Sequence, residues 1–320
     1  MRVSVVAAAR EDDRPPREAL SIAAMADRLG YDEVWLGEGP TWDAFALATA
    51  VGLGTEQIEI TAGPVPVSLR DPVTIVRGAA SAAALTGRVV GVALGTSSVR
   101  VVEGLHGRSR AGASAALAES ARVVRALLDG EQPWPGAGSA HSFPRRLGGP
   151  GGALTVAAFG DRAIAVAAEH ADRMLLDLVS PEQVRTLRDK LEAAASRTGR
   201  PRPALAAWLP AAVDPDPASH RQLMQGIAGY LTVRGYSEMF ISAGLGEAVR
   251  LARDGAGARE LVDALPEHAP GIVGLVGDAD AVRGRMEAYV AAGLDEVALV
   301  PATAGDPGGE HTLTALADLA

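Results

Sequence analysis

Short apolar runs of strand character alternate with helical stretches along almost the whole chain. The helical stretches end at glycines, as at Gly30 after the first helix and at Gly130 after a long amphipathic helix. Apolar patterning predicts strands at 2–8, 32–37, 58–62, 88–94, 153–158, 171–178, 204–212 and 296–300. Because strands that alternate with helices pair in parallel, the sequence predicts an α/β protein with a parallel sheet.

The number of strands favours one architecture. Eight strands with intervening helices predict a (β/α)8 TIM barrel, with residues 1–320 as a single domain. The alternative is a doubly wound open sheet, but the chain has no dinucleotide-binding fingerprint. Two stretches break the alternation: 131–152 is rich in proline and glycine, and 214–270 has short helical runs without a convincing strand. We therefore expect a loop or small hairpin insertion before the fifth strand and a helical insertion after the seventh.

Composition narrows the class of protein. The chain has no cysteine, which excludes disulfides, thiolate zinc sites and cysteine nucleophiles. A formal net charge of −9 argues against nucleic acid or an anionic membrane surface as a partner. The first apolar run is followed at once by charged residues, which is typical of a barrel strand rather than a signal peptide, and no run approaches the ~20 residues of a membrane span. We expect a cytoplasmic protein whose partner is a small-molecule substrate.

The ends of the predicted strands supply the candidate site residues. In a TIM barrel, ligand contacts come from the carboxyl ends of the strands and from the loops that follow them. These positions are mostly small or apolar, which predicts a trough where the protein supplies shape and a cofactor supplies reactivity. The candidates are Glu38, Trp42, Gly63, Pro64, Val65, Gly95, Thr96, Ser97, Phe159, Gly160, Asp161 and Arg162, with the segments 177–180 and 208–210 selected by position alone.

Three of these motifs have both a binding and a structural interpretation. At 159–162, a glycine before a helix start can hold an anion on free N–H groups, with Arg162 adding charge. Alternatively, Asp161 caps the helix and Arg162 is solvated. The hydroxyls of the 95–97 turn either donate to a ligand or make local backbone bonds, and Trp42 either stacks on a ring or covers the core.

Other site chemistries find little support in the sequence. The histidines show neither HxxxH nor HExxH spacing, so we expect no metal site. No serine lies in a GxSxG elbow, which leaves a serine hydrolase unsupported.

Several stretches resemble the luciferase-like flavin and deazaflavin superfamily. They include GYDEVWLGE at 30–38, the run from Arg70 to Ser98, VVEGLHG at 101–107 and the run from Ala157 to Val184. The VVEGLHG element is the most specific of them, since it is neither compositional nor a generic turn. Within the superfamily the chain is most similar to the coenzyme F420-dependent oxidoreductases, akin to methylenetetrahydromethanopterin reductase.

The resemblance implies a TIM barrel that binds F420, or alternatively FMN, at its carboxyl face. In such proteins a bulge with a cis peptide bond on the third strand supports the cofactor ring from behind. The matching segment is Gly63-Pro64-Val65, and we predict that the Gly63–Pro64 bond is cis; proline in second place makes a cis bond less unfavourable.

The same resemblance assigns roles to the other candidates. Gly95, Thr96 and Ser97 would line the ring and the ribityl chain, and Phe159, Gly160, Asp161 and Arg162 would hold the cofactor phosphate. Glu38 would be the acid beside the deazaflavin, and we assign it and Trp42 as catalytic candidates.

Two departures from the family pattern bear on the direction of the reaction. Gly39 stands where relatives that oxidise alcohols have a histidine, and no glutamate follows the 95–97 turn. Both features favour reduction, in which reduced F420 gives a hydride to a C=C or C=N bond. The proton would come from Glu38, another side chain or water.

The remaining expectations concern alternative functions, the cofactor's tail and the oligomeric state. The first alternative to an F420-dependent reductase is an FMN-dependent monooxygenase that uses O2, and the second is a non-catalytic flavin-binding relative. Arg145 and Arg146 are candidates to meet the polyglutamyl tail that F420 has and FMN lacks. The resemblance also implies a homodimer formed through the barrel helices, here 79–85 and 113–121.

Overall fold

The structure is a computed structural model, and it describes residues 1–8, 16–131, 149–233 and 235–319. Nine parallel strands form one sheet, and eight of them close into a barrel because β6 pairs with β7 and the last strand pairs with both β1 and β7. The strands are β1 (Arg2–Val6), β2 (Glu33–Leu36), β3 (Glu59–Pro66), β4 (Val90–Gly95), β5 (Leu154–Ala157), β6 (Arg173–Asp177), β7 (Ala204–Val213), β8 (Leu275–Gly277) and β9 (Glu296–Pro301).

Helices cover the outside of this barrel, as the alternating pattern predicts. A six-residue π-helix, Arg100–Leu105, follows β4 and contains most of the VVEGLHG element. The α-helices are α1 (Arg17–Leu29), α2 (Ala44–Gly54), α3 (Pro72–Thr86), α4 (Ala113–Leu128), α5 (Asp161–His170), α6 (Pro181–Ala195), α7 (Pro217–Ala228), α8 (Tyr236–Ser242), α9 (Gly246–Arg253), α10 (Ala258–Ala264), α11 (Ala269–Val273), α12 (Ala279–Ala292) and α13 (Glu310–Ala315). The predicted (β/α)8 TIM barrel is confirmed.

Local sequence explains where the helices start and stop. The side chain of Asp43 accepts hydrogen bonds from two backbone N–H groups in the first turn of α2. Asp71 caps α3 by accepting from the backbone N–H and the hydroxyl of Thr74. A reciprocal Ser180–Gln183 capping box begins α6. Gly30 ends α1 in the left-handed region, at a φ of 87°, where a residue without a Cβ is favoured. These caps place each helix start next to the carboxyl end of the preceding strand.

The third strand carries the irregularity predicted from the resemblance. Its pairing with β4 shifts register between Ala62 and Val65. The Gly63–Pro64 peptide bond within this bulge is cis, so that prediction is confirmed.

The amino-terminal half of the barrel interior holds a buried ionic network. Arg173 donates from Nη1 to Glu33 and to Glu296, both at 2.5 Å. The other Glu296 oxygen accepts from Ser4 Oγ at 2.6 Å and from Trp35 Nε1 at 3.0 Å. The Arg173 guanidinium also lies over the Trp35 ring, 4.1 Å from its centroid. Above this layer, towards the carboxyl ends of the strands, the interior is apolar: Val6, Ala93, Leu175, Ala206 and Ala298.

The segment between β7 and β8 is helical, as expected for 214–270. It contains α7 to α11, and these helices share a separate hydrophobic cluster. The barrel contributes Leu178, at the end of β6, to that cluster. The short strand β8 brings the chain back by pairing with Ala211–Val213 at the outer end of β7. We call residues 214–274 the helical segment.

The other predicted insertion is described only at its edges. Residues 132–148, most of the predicted loop or hairpin at 131–152, lie outside the described part of the chain, and so do Arg145 and Arg146. Among the helices that the structure describes, none is long and apolar enough to span a membrane.

Candidate active site

The carboxyl end of the barrel has small residues on one side and large ones on the other. A Cβ atom built on Gly95 would lie 3.2 Å from Pro64 Cβ and 3.8 Å from Ala157 Cβ, so these three residues form one shallow surface over β3, β4 and β5. We call this surface the trough. Across the mouth, Asp177 on β6 and Trp208 on β7 face each other in register.

Of the residues predicted to support a ring from behind, Pro64 is half-buried, whereas Gly63 and Val65 are buried. A Cβ on Gly63 would collide with the carbonyl oxygen of Ala93, and its φ of 119° also requires glycine. Val65 is fully buried in the core and pairs with Leu94. Gly63 and Val65 thus lie behind Pro64 and fix its place in the trough.

An arginine that sequence analysis did not select holds the turn after β4. Arg110 Nε donates to the backbone oxygen of Ser97 at 2.8 Å, and its Nη2 donates to Thr96 Oγ1 at 3.0 Å. Ser97 itself has a φ of 55°, a conformation that the arginine contact supports. The Thr96 hydroxyl is therefore oriented by a cation, and Thr96 lines the cavity described next.

A large open cavity adjoins the trough. Its volume is about 1610 Å³, more than the ~300–1,000 Å³ of typical small-molecule sites. Ala157 belongs to both the trough and the cavity, so the two are continuous. From Thr96 the cavity passes over the start of α5 and reaches α6, α8, α11 and α12. Its polar lining includes Thr96, Arg110, Ser114, Asp161, Arg162, Ser180, Glu182, Gln183, Lys190, Glu238, His268 and Arg285.

The 159–162 motif lies on this cavity. Gly160 is the residue that precedes α5, and no side chain caps the helix, so the structural interpretation of Asp161 as an N-cap is wrong. Asp161 instead pairs with Lys190 at 2.9 Å, which lowers the pKa of its carboxyl. A Cβ built on Gly160 would meet open space, and Arg162 is exposed beside it. The first turn of α5 thus presents free N–H groups and a cation to the cavity, which suits a phosphate.

Glu38 is held in a network of its own. Its Oε1 accepts from Arg70 Nε at 2.7 Å, and its Oε2 accepts from the backbone N–H of Ala44 at 2.8 Å. Arg70 also donates to Asp43 at 2.6 Å. Both oxygens of Glu38 are therefore engaged by donors, and Glu38 is not among the residues that line the cavity.

The two tryptophans near the mouth each keep an unpaired donor. Within the described residues, the indole Nε1 atoms of Trp42 and Trp208 are buried and have no hydrogen-bond partner. Trp208 packs edge-on against Trp35, with ring centroids 5.9 Å apart. A buried N–H without a partner is unfavourable, and such groups concentrate at functional sites.

Asp177 is the most perturbed carboxyl at the mouth. The hydroxyl of Tyr236, at the start of α8, donates to Asp177 Oδ2 at 3.0 Å. Phe159 and Tyr230 pack on the Tyr236 ring, with centroids 4.7 and 4.8 Å away. Burial raises the pKa of Asp177 to about 7, against the smaller lowering effect of the Tyr236 hydrogen bond. In the sequence, residues 177–180 stand out only by their position after a predicted strand, and no motif marks Tyr236 as a site residue.

These residues divide the predicted site into two groups. The cavity brings together Thr96, Phe159, Gly160, Asp161 and Arg162, while Pro64 and Gly95 form the adjoining trough. Glu38 and Trp42 lie outside that cavity lining. The trough fits a flat ring and the start of α5 fits a phosphate, which are the parts of a flavin or deazaflavin cofactor. Within the described ranges, no group of three or more His, Asp or Glu side chains is arranged to hold a metal ion.

Comparisons with known proteins agree with this geometry. A Mycobacterium tuberculosis protein named as a candidate coenzyme F420-dependent oxidoreductase is 25% identical over 334 residues, covering 95% of each chain. The F420-dependent tetrahydromethanopterin reductase of Methanopyrus kandleri has the same fold, with a TM-score of 0.82, 17% identity and coverage of 99% of this chain and 98% of that one. The oxygenating constituent of 3,6-diketocamphane monooxygenase from Pseudomonas putida, solved with FMN, gives a TM-score of 0.69 at 16% identity, covering 99% and 96%.

At 16–17% sequence identity, the two structures are evidence for a shared fold alone. The sequence model of the family described as luciferase-like monooxygenase, however, matches residues 1–296, a span that contains every residue of the trough, the 95–97 turn and the 159–162 motif. The chain therefore belongs to the luciferase-like monooxygenase family.

Proposed function

We propose that this protein is an F420-dependent reductase that passes a hydride from reduced F420 to a C=C or C=N bond of a small molecule. The observation that carries the proposal is the continuity of the trough with the cavity. The ring would lie on Pro64 and Gly95, and the phosphate would lie at Gly160 and Arg162. Beyond that point the cavity continues to Lys190 and Arg285, leaving room and positive charge for an anionic tail.

The chain's own residues would orient the cofactor and leave the chemistry to it. Bound reduced F420 supplies the hydride. Pro64 supports one face of the ring, Arg110 orients the Thr96 hydroxyl towards the cavity, and the first turn of α5 binds the phosphate. The substrate would occupy the open side of the ring, between the trough and the helical segment.

The state of Glu38 supports the reductive direction. Oxidation of an alcohol needs a base that removes the hydroxyl proton. Glu38 is bound to Arg70 and to the N–H of Ala44, and its neighbour Gly39 has no side chain. Glu38 would therefore hold the β2–α2 loop in place through Arg70 and Ala44 rather than move a proton.

An FMN-dependent monooxygenase is the second candidate. It is favoured by the fold shared with the FMN-bound monooxygenase, and FMN would use the same trough and the same phosphate position. In that case the space beyond Gly160 would hold no part of the cofactor. The two candidates therefore differ in whether Lys190 and Arg285 contribute to binding.

Titration of the purified protein with F420 and with FMN, followed by fluorescence, tests the proposal. We expect tighter binding of F420. Arg162→Gln should weaken both cofactors about tenfold, as expected for one charge-assisted contact, while Arg285→Gln, which leaves the Asp161–Lys190 pair at the phosphate position intact, should weaken only F420. Arg221→Gln, an exposed arginine on α7, is the matched control and should change neither. Tight FMN binding without F420 binding would contradict the proposal in favour of the second candidate.

We also propose that the protein forms a homodimer through its barrel helices. Leu53, Leu85 and Val89 are more than 60% exposed. The ends of α2 and α3 lie together, because a Cβ on Gly52 would touch Thr86. An exposed apolar patch of this kind is typical of an interface. Leu85→Glu should convert a dimer into a monomer in analytical ultracentrifugation, whereas Val290→Glu on α12 should not.

A further inference from the structure

We propose that Asp177 and Tyr236 form the proton-donating pair of this site. In this arrangement the Tyr236 hydroxyl gives its proton to the acceptor, and Asp177 replaces it. The inference rests on the proposed reductase function, and it assigns to two residues the proton that Glu38 was expected to supply.

Position supports the assignment. Asp177 ends β6, in register with Trp208, whose ring lies on Trp35 inside the barrel. Neighbouring strands are ~4.8 Å apart, so β6 lies about 10 Å from β4 and Gly95, two strands away. A substrate on a ring that covers the trough would fill this distance. Tyr236 approaches from the helical segment, and its ring packs on Phe159. Phe159 and Gly235, the residue before Tyr236, line the cavity, whereas Asp177 and Tyr236 lie directly behind these lining residues and are not among them.

The surroundings of Asp177 favour a carboxyl that keeps its proton. The titratable groups that face it are the hydroxyls of Tyr236 and Tyr230, both on the helical segment, and neither is a cation. Its other neighbours are the Leu178 backbone and the Trp208 ring on the adjoining strand. Burial raises the pKa of Asp177 to about 7, so a large fraction of the group is protonated at neutral pH. Glu38, by contrast, accepts hydrogen bonds from the Arg70 guanidinium and from the backbone N–H of Ala44.

The acceptor's double bond takes a hydride, with two electrons, at carbon and a proton from Tyr236 at the neighbouring atom. In this step the 3.0 Å contact runs from the protonated Asp177 carboxyl to the Tyr236 oxygen, the reverse of its sense when Asp177 is ionised, so that Tyr236 takes the proton of Asp177 as it gives its own. The Asp177 carboxylate then regains a proton from water. Reduced F420 loses the two electrons with the hydride and releases its ring proton to water. No other oxidant or reductant is required.

The first test needs no turnover. In infrared difference spectra of the cofactor-free protein between pH 6 and 8, we expect a protonated carboxyl band that titrates near pH 7. The band should be lost in Asp177→Asn, shifted in Tyr236→Phe, and retained in Glu38→Gln and in the exposed control Asp280→Asn. Addition of F420 should shift the band, because the ring would lie beside the pair. A band that survives in Asp177→Asn, or one that bound F420 leaves unchanged, would overturn the proposal.

The second test uses cyclohex-2-enone as the probe acceptor and reduced F420 as the donor. Asp177→Asn and Tyr236→Phe should each lower kcat about 100-fold with unchanged F420 affinity. The wild-type fall in kcat above pH 7 should be absent from Asp177→Asn. Tyr230→Phe, in the same aromatic cluster, should keep the wild-type profile. Full activity in Asp177→Asn would refute the pair, whereas a protein that fails to bind F420 would refute the proposed function, since F420 binding is measured separately.

Discussion

The two ends of the barrel treat buried polar groups in opposite ways. At the amino-terminal end, Arg173, Glu33 and Glu296 form a closed network in which opposite charges meet and Trp35 has a partner for its N–H. At the carboxyl end, in the part of the chain that the structure describes, Asp177 is half-buried without a cation, and the N–H of Trp208 has no partner. The same strands run from one end to the other. The Arg173 network thus satisfies its own polar groups, with one buried donor beside it, Arg2 Nε, left without a partner among the described residues, whereas the mouth combines an unpartnered indole with a carboxyl that no cation faces.

The largest expected effect is at the closed end. Arg173→Met would leave buried Glu296 without its cation and Glu33 with only the longer contact to Arg2 at 3.4 Å. We expect a loss of about 3–5 kcal/mol in the free energy of unfolding at pH 7, measured by urea denaturation. Arg250→Met, which removes two exposed ion pairs on one helix, is the control and should change the stability far less, since solvent screens such pairs. Equal effects in the two variants would show that the network contributes no more than a surface ion pair.

The next effect should have the opposite sign. Since the pKa of Asp177 is raised from 3.8 to about 7, the folded protein holds an extra proton between these values and loses stability as the pH rises through that window. Asp177→Asn removes the ionisation. It should match the wild type near pH 4 and become more stable by about 2–3 kcal/mol at pH 8. Urea denaturation at several pH values measures this, with Asp280→Asn as the control. A destabilised Asp177→Asn at pH 8 would contradict the comparison.

The two tryptophans that pack edge-on, Trp35 and Trp208, offer a matched pair of substitutions. Trp35→Phe removes the donor to Ser4 and Glu296 and should cost about 2–3 kcal/mol beyond the lost ring area. Trp208→Phe removes an N–H that has no partner, so its cost should be smaller by about 2 kcal/mol. The difference between the two in thermal unfolding is the measurement. If Trp208→Phe is as unstable as Trp35→Phe, the N–H of Trp208 has a hydrogen-bond partner as the N–H of Trp35 does, and the contrast between the two ends of the barrel fails.

The smallest stability effects separate two glycines of one strand. A Cβ on Gly91 would collide with the Thr61 hydroxyl beside the ionic network, and Gly91→Ala should cost about 1–2 kcal/mol. Gly95→Ala adds a methyl group to the trough, where it meets Pro64 at 3.2 Å. We expect it to cost less than about 1 kcal/mol but to weaken cofactor binding about tenfold. If Gly95→Ala binds F420 normally, the ring does not lie in the trough.

The sequence predicts the scaffold well because the signals for it are local. Alternating strands and helices indicate the barrel, and the resemblance around Gly63-Pro64 correctly indicates a cis bond. The networks escape prediction because their members are far apart in sequence. Arg173 and Glu33 are separated by 140 residues, and Asp177 and Tyr236 by 59, so only strand register and the fold of the helical segment bring them together. The role expected of Glu38 could not be judged from its neighbours, because its partner Arg70 comes from the next loop but one.

The pairing of β8 with the outer end of β7 has a consequence for how such a site can change. The helical segment leaves the barrel at Asp214 and returns at Gly277, and the N–H of Asp214 donates to the Gly277 oxygen at 2.8 Å. This hydrogen bond joins the two ends of the segment at the barrel, and the entropy of closing a loop rises only slowly with its length. Because its hydrophobic cluster is largely its own, we expect the segment to tolerate replacement as a unit. A relative could replace it, with Tyr230 and Tyr236, and acquire a different substrate while the barrel and the cofactor trough stay unaltered.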